Sequence, residues 1–203
     1  MKFGQRSVAA TALVTILGVG ALWWGTDGFS AFTTETARRV EILRSPRQLP
    51  DVVLEDQDGR AFRLQDYQGR LLAVEFIYTR CPTLCRSLGM AFKQIRDRAP
   101  PQALGRDFAL VSISFDQKDD PTSLKEYGRT YDADGTYWRI SRVRSAADIK
   151  PLLDAFGIVV IPDGLGGFEH NAAIHLVGRN GRLERISDIN EPVLFAKQMK
   201  AWL

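Results

Sequence analysis

The stretch that decides the fold is LLAVEFIYTRCPTLCRSLGMAF, residues 71–92. It begins with an apolar run that only Glu75 interrupts, a pattern that predicts a largely buried β-strand. The chain then turns through residues 79–85 into a helical pattern. Pro82 suits the first position of a helix, because its φ is fixed near the helical value and its missing N–H has no partner there. The stretch therefore predicts a strand, a turn and a helix that begins at two cysteines.

Cys81 and Cys85 are the only cysteines in the sequence. Residues four apart share one face of a helix, so both sulfur atoms can point at one spot. With Cys81 at the N-cap, the helix dipole favours its thiolate, and we expect a low-pKa pair, below the ~8.5 of a free thiol. A disulfide over so short a loop stabilises by only about 2 kcal/mol, against nearly ~5 kcal/mol for a loop of about 100 residues. The pair therefore predicts a redox site or a soft-metal site rather than a bracing disulfide.

Length and composition are those of one globular domain with extensions. The chain has 203 residues, of which 45% are hydrophobic and 25% are charged. Its formal charge of +3 is the difference between 27 basic and 24 acidic residues, and the N-terminal tail contains two of the basic ones, Lys2 and Arg6. The remainder is close to neutral. This argues against a nucleic-acid-binding surface, since such a surface needs clustered positive charge.

Residues 1–25 have the pattern of a membrane-targeting segment. Lys2 and Arg6 precede an uncharged run at residues 8–24, whose helical length reaches the lower limit for crossing a bilayer. We expect an uncleaved signal anchor; the alternative is a cleaved signal peptide, with a weak cleavage site at residues 19–21. The basic residues in front favour a cytoplasmic N-terminus and an exported domain, on the periplasmic side in a bacterium or in the intermembrane space of a mitochondrion.

The rest of the chain divides into a linker and a domain. Residues 26–48 are polar and basic without clear periodicity, and are predicted to be the linker. Residues 49–203 alternate strand and helix patterns, which predicts an α/β domain with a mixed central sheet. The expected elements are a hairpin across 52–64, strands at 71–78, 108–115, 137–140, 173–177 and 183–186, and helices at 121–131, 145–156 and 192–203, with Asp120 and Ser145 as N-caps. A cysteine motif after an early strand makes the thioredoxin-like fold the natural candidate.

His170 and His175 are the only histidines. His175 lies inside a predicted strand and is interpreted as a packed residue. His170 stands between a glycine-rich loop at residues 162–167 and the closing hairpin, where a thioredoxin-like fold brings the last hairpin against the cysteine helix. It is either a metal ligand or a packed residue. Two thiolates and one imidazole suit a soft cation such as Cu(I), whereas a structural zinc site would need a fourth ligand.

From residue 49 to the C-terminus the sequence resembles the Sco/SenC copper proteins of the cytochrome oxidase assembly pathway. The motifs that carry the resemblance are Asp58-Gly59, FIYTRCP at 76–82 with Cys85, SISFD at 112–116, Asp120-Pro121, Trp138 and His170. The resemblance implies that Cys81, Cys85 and His170 bind one copper ion, with Cu(I) expected first and Cu(II) second. It also implies copper delivery to, or thiol reduction at, the CuA site of cytochrome c oxidase. The expected partner is therefore the copper-site subunit of that oxidase, or another copper donor or acceptor protein.

The sequence departs from the family pattern at two places. Arg86 stands where the family usually has a second proline, and residues 140–142 replace a common Leu-Thr-Gly. The first change leaves the ligand set intact but can alter the helix start or the partner surface. Asp116 looks like a recurrent family acid at a strand end, which suggests a residue that supports the metal ligands; the alternative is a helix or turn cap.

Three functions are compatible with this pattern to different degrees. The leading interpretation is a copper metallochaperone, not an enzyme, in which the loop at 163–167 lets His170 move on and off the metal. The alternative is a membrane-anchored thiol–disulfide oxidoreductase that uses Cys81 and Cys85 as attacking and resolving thiols. Against it, three residues separate the cysteines where thioredoxins have two, and no proline precedes the last hairpin. A peroxidase is disfavoured, because Tyr78 and Val74 occupy the positions where peroxiredoxins place threonine and proline.

Overall fold

The computed structural model describes residues 2–26, 28–29, 33–81 and 84–203. The chain divides into two compact units, Met1–Arg44 and Ser45–Leu203. The prediction that Pro82 opens the cysteine helix falls on a residue outside the described ranges.

The first unit contains helix α1, Lys2–Gly25, and helix α2, Thr34–Arg44. The segment Ser7–Gly25 of α1 has a mean hydropathy of 1.7 and is long and apolar enough, by length and composition, to cross a membrane. The second helix lies inside the predicted linker, where no helix was expected. Polar contacts support its first turns: Thr33 Oγ1 accepts a hydrogen bond from the Thr36 N–H, and Glu35 forms ion pairs with Arg38 and Arg39. Ile42, near its end, is fully buried.

The second unit is built from strands that alternate with helices. In the described residues these are β1 Arg47–Gln48, β2 Leu54–Asp56, β3 Ala61–Phe62, β4 Leu71–Ile77, α3 Leu84–Arg98, β5 Phe108–Ser114, α4 Pro121–Thr130, β6 Trp138–Val143, α5 Ala146–Phe156, β7 Val160–Pro162, β8 Phe168–His170, β9 Ile174–Val177, β10 Arg182–Ser187 and α6 Pro192–Trp202. A short 3-10 turn follows β3 at Leu64–Tyr67. The expected elements are present, with boundaries that differ by a few residues.

The large sheet has the strand order β1-β10-β9-β4-β5-β6-β2-β3. Its centre is parallel, because β4 pairs with β5 and β5 with β6 in the same direction. The outer pairs are antiparallel, so the sheet is mixed and the predicted α/β, thioredoxin-like class is confirmed. Every residue of β4 and of β5 is buried, which explains why both strands are nearly continuous apolar runs.

The register of β4 and β5 positions the cysteine segment. Ile77, the last residue of β4, is opposite Ser114, the last residue of β5. The segment that leaves β4 toward the cysteines therefore lies beside the segment that leaves β5 toward α4. Asp120 caps α4 as predicted, since its carboxylate accepts a hydrogen bond of 2.8 Å from the Ser123 N–H.

Strands β7 and β8 form a separate two-stranded sheet, which we call the histidine hairpin (residues 160–170). It follows α5, which ends at Gly157 in the left-handed conformation with φ of 68°. Pro151 lies inside α5.

Candidate metal centre

The end of β4 and the start of α3 position the two cysteines. The Cys81 N–H donates to the Tyr78 carbonyl oxygen at 3.2 Å, which closes a tight turn after the strand. Four residues further along, the Cys85 N–H donates to the Cys81 sulfur at 3.3 Å. Cys81 is half-buried, Cys85 is fully buried, and both are thiols rather than a disulfide. The Cys81 sulfur therefore lies close to the N-terminal end of α3, as the spacing of the cysteines predicted.

The histidine hairpin brings His170 to this turn from a distant part of the chain. His170 Nε2 lies 3.9 Å from Cys85 Sγ. On the other side of the ring, Nδ1 lies 3.1 Å from the carbonyl oxygen of Asn171. Because a carbonyl oxygen can only accept, Nδ1 carries the proton and Nε2 presents its lone pair to the sulfur. The ring is thus held in the tautomer that a metal ligand needs.

Burial shifts the pKa of His170 and of Cys85 in opposite directions. It lowers the pKa of His170, an effect that the hydrogen bond to Asn171 only partly offsets, so the neutral imidazole is favoured. Burial raises the pKa of the Cys85 thiol, and the thiol is protonated at neutral pH in the absence of a metal. The expectation of a low-pKa pair is therefore wrong for Cys85, because desolvation outweighs its position in the first turn. For Cys81 the thiolate remains a prediction.

The three predicted ligands are not arranged as a ready-made site. Among the residues that the structure describes, no group of three His, Cys, Asp or Glu side chains has the arrangement of a metal centre. Cys85 and His170 do come together, and Cys81 contacts the start of the same helix. The two-sulfur, one-nitrogen ligand set stays a prediction.

A buried carboxylate fastens the backbone just before Cys81. Asp119 accepts hydrogen bonds from the Thr79 N–H at 2.8 Å and from the Thr79 hydroxyl at 2.7 Å. A third bond, of 2.6 Å, comes from the Ser114 hydroxyl, and Asp119 is only 1% exposed. Sequence reasoning missed this residue, because Asp119 belongs to the run DQKDD and nothing local distinguishes its carboxylate from its neighbours.

Asp116, predicted as a supporting acid or a cap, has features of both. It forms an ion pair with Arg80, the residue before Cys81. It also accepts a hydrogen bond from the Lys118 N–H at 2.9 Å, which closes the turn after β5. Asp116 is buried and thus reaches the cysteine segment through Arg80.

Aromatic rings surround His170. The Phe115 ring packs edge-on against the imidazole at 5.1 Å between ring centres, and Phe168 packs against Phe115 at 5.5 Å. These rings exclude water from one side of the imidazole, which accounts for the burial that lowers its pKa.

His175 lies elsewhere, as interpreted. It is fully buried on β9, with Nδ1 3.1 Å from the Val74 carbonyl oxygen and its ring between Phe76 and Phe156. His170 belongs to the histidine hairpin, whereas His175 belongs to the large sheet.

The glycine-rich loop is a closed turn. The Asp163 carboxylate accepts hydrogen bonds from the Leu165 N–H at 2.7 Å and the Gly167 N–H at 2.9 Å. Gly164 and Gly166 adopt φ of 76° and 92°, which other residues rarely adopt. A hinge for His170 stays a prediction, and this turn implies that His170 would move together with the whole hairpin.

Glu75 is a second acid that sequence reasoning did not assign. It is fully buried on β4, and burial raises its pKa to about 8. Its Oε1 accepts a hydrogen bond of 2.5 Å from Ser112, whose oxygen accepts one from the Trp138 indole at 3.0 Å. The other carboxyl oxygen has no hydrogen-bond partner in the described part of the chain. The side chain is therefore accommodated as a neutral acid at pH 7.

Comparisons with known proteins agree with this architecture. A family model described as SCO1/SenC matches residues 45–202. The SCO1 protein homolog of Bacillus subtilis is 26% identical over 132 residues, which cover 64% of this chain and 67% of that protein. The solved SCO1/SenC family lipoprotein of Bacillus anthracis is 26% identical with a TM-score of 0.70, covering 79% of this chain and 98% of that one. The structure of Bradyrhizobium japonicum ScoI with copper bound is 23% identical with a TM-score of 0.66, covering 77% and 99%.

Proposed function

Because this chain belongs to the SCO1/SenC family, we propose that it is a copper metallochaperone that binds one copper ion through Cys81, Cys85 and His170. Copper is bound in the structure of the Bradyrhizobium japonicum relative. The ion is cargo here, so the residues must take it up and also release it.

The observation that carries the proposal is the 3.9 Å approach of His170 Nε2 to Cys85 Sγ, across 85 positions of sequence. Without a metal, the Cys85 thiol can form only a weak hydrogen bond to His170 Nε2. Both atoms are, however, good ligands for a soft cation. Binding would release the proton of Cys85, because a metal-bound thiol is deprotonated. The bound cation would offset the cost of forming a thiolate at this buried position, which supports copper binding here.

Exposure supports transfer rather than permanent storage. Cys81 and His170 are half-buried, whereas Cys85 is fully buried. One face of the proposed site is therefore open to a partner protein. We infer that this partner is the copper-site subunit of cytochrome c oxidase at its CuA site, or another copper donor or acceptor.

The same cysteines could act as a thiol–disulfide reductase, which is the alternative. In that reaction Cys81 would attack and Cys85 would resolve, because the buried thiol with the raised pKa is the poorer nucleophile. A measured reduction potential of the dithiol, on the protein preparation used for copper titration, separates this activity from copper transfer.

We also propose that α1 holds the protein in a membrane and that the unit Ser45–Leu203 lies on the exported side. Protease added to intact spheroplasts should then digest the domain. Digestion only after lysis would contradict this orientation.

The experiment that tests the ligand set is anaerobic Cu(I) titration of the full chain in detergent micelles, against a chromophoric Cu(I) chelator. We expect one copper per chain, and loss of tight binding in Cys81→Ser and Cys85→Ser. His170→Ala should lower the affinity by at least the ~10–100-fold that the loss of outer partners of metal ligands costs. His175→Asn is the control and should retain copper. Equal Cu(I) and Cu(II) affinities in His170→Ala and the parent would refute His170 as a ligand.

A further inference from the structure

The Tyr78 side chain connects the two segments that carry the proposed ligands. Its hydroxyl donates a hydrogen bond to the Phe168 carbonyl oxygen at 3.0 Å and accepts one from the Phe168 N–H at 3.3 Å. Tyr78 directly follows β4 and stands three residues before Cys81. Phe168 begins β8 and stands two residues before His170.

The register of the histidine hairpin explains why Phe168 has both groups available. The Asp163 N–H bonds to the Gly167 carbonyl oxygen, and Pro162 is opposite Phe168 one step further along. Hydrogen bonds across an antiparallel pair alternate, so the N–H and C=O of Phe168 point away from β7. The Tyr78 hydroxyl thus occupies the outer edge of β8, where a neighbouring strand would otherwise bond.

Packing fixes the ring that presents this hydroxyl. Tyr78 is 4% exposed, and its ring lies edge-on to Phe168 at 5.3 Å and tilted against Phe115 at 5.8 Å. Phe115 in turn contacts the His170 ring. The hydroxyl therefore has little freedom, and the position of Phe168 follows that of Tyr78.

The hairpin needs such a contact. A two-stranded sheet has little stability of its own, and Ile161 and Leu165 on this hairpin are 58% and 93% exposed. Gly167 permits the close approach: a Cβ there would lie 3.2 Å from the Tyr78 hydroxyl and 2.6 Å from Asp163 Oδ2.

We propose that Tyr78 is a positioning residue that holds β8, and with it His170, against the cysteine turn. Tyr78 does not itself bind the ion. It acts through the Phe168 backbone, and its hydroxyl also forms a hydrogen bond with the Cys81 side chain, so Gly167→Ala serves to test the β8 contact alone. The proposal rests on the proposed function, since its consequence is the fraction of time that the imidazole is in place for copper. Removal of the hydroxyl leaves the ring in its pocket but removes both hydrogen bonds to β8.

The test compares Tyr78→Phe with the parent, with His170→Ala and with Tyr67→Phe, all as full chains in detergent micelles. Tyr67→Phe is the matched control, because it removes a hydroxyl from another buried ring, packed against Phe62 away from the site. Gly167→Ala is a second variant that displaces the same backbone. Amide hydrogen exchange at residues 168–170 is measured without copper, and Cu(I) release to a chelator and the Cu(II) thiolate charge-transfer band are measured with it.

Tyr78→Phe loses two hydrogen bonds to β8, and Gly167→Ala displaces the same backbone. In both variants we expect amide exchange at residues 168–170 and copper release each to be about tenfold faster. The stoichiometry should remain at one copper, with a Cu(II) band between those of the parent and His170→Ala. Tyr78→Phe values equal to those of Tyr67→Phe would overturn the proposal. Faster exchange without faster release would also overturn it, since β8 would then move without effect on the ligand.

The two proposals fail in different ways. If the parent binds no copper, or if His170→Ala behaves as the parent does, the proposed ligand set fails. Exchange in the copper-free protein still decides whether Tyr78 holds β8.

Discussion

The cysteine turn and the histidine hairpin meet at one place but are held there very differently. The turn leaves β4, a strand buried along its whole length, and Asp119 holds it through hydrogen bonds from the Thr79 N–H and hydroxyl. In the described structure the two strands of the hairpin pair only with each other, and Leu165 at its tip is 93% exposed. Local stability follows buried contacts and protected hydrogen bonds. One half of the proposed site is therefore fixed by the sheet, and we expect the other half, on the hairpin, to be the more mobile.

This difference suits a protein that must give up its ion. If both halves were part of the sheet, release would require opening of the core, at a cost close to the free energy of unfolding. With His170 as the proposed ligand on the hairpin, release would require the loss of local contacts only, chiefly those around Phe168.

The largest expected effect is a matched pair of aspartate substitutions, one in each region. Asp119→Ala leaves the Thr79 N–H and the hydroxyls of Thr79 and Ser114 without their acceptor, and should lower the free energy of unfolding by about 3 kcal/mol. Asp163→Ala removes two exposed loop bonds and should cost below about 1 kcal/mol. Urea denaturation of the copper-free proteins measures both. Equal losses would show that the two regions are equally fixed.

The next largest effect is a pH dependence of the free energy of unfolding, which arises from Glu75 on the buried strand β4. Burial raises the pKa of Glu75 from 4.5 to about 8. Between these values the unfolded chain has lost a proton that the folded protein keeps, so the free energy of unfolding falls as pH rises, by about 1.4 kcal/mol per unit. The fall begins near the unfolded pKa and ends above the folded one.

Glu75→Gln cannot titrate and should lack this fall. Between about pH 5.5 and about pH 7.5 the parent should lose ~2–3 kcal/mol relative to Glu75→Gln. Glu126→Gln, which removes an exposed carboxyl on α4, is the control and should follow the parent. Denaturation curves at the two pH values measure this difference. If the free energy of unfolding changed equally in the parent and in Glu75→Gln, Glu75 would be charged in the folded protein.

The smallest effect is expected at the hairpin tip. Leu165→Ser replaces a side chain that is 93% exposed, and should change the free energy of unfolding by less than about 0.5 kcal/mol. A loss above about 1 kcal/mol would mean that the tip is packed in solution, and the contrast between the two regions would weaken.

What the sequence predicted well are elements whose cause is local. The strands β4 and β5 are nearly continuous apolar runs because both of their faces are buried, and Asp120 is an N-cap beside a proline at the first helical position. Helix α2 was missed because a capping threonine and ion pairs of Glu35 support it instead of a strong apolar stripe.

At the candidate site, too, the sequence predicts features with a local cause and misses those that depend on distant residues. The spacing of the cysteines predicts their common place on one helix, since four residues make about one turn. The roles of Asp119 and Tyr78 depend on partners 40 and 90 positions away, so no local pattern reveals them. The raised pKa of Cys85 was also missed, because burial of a residue in the first helical turn depends on what packs over it.

The central claim is that a sulfur pair from the cysteine turn and an imidazole from the hairpin bind the same ion. X-ray absorption at the copper edge of the Cu(I)-loaded full chain tests this most directly, with His170→Ala measured beside it. We predict two sulfur neighbours and one imidazole nitrogen in the parent, with the outer scattering of the ring lost in His170→Ala. Identical spectra for the two proteins, with no imidazole in either, would contradict the account.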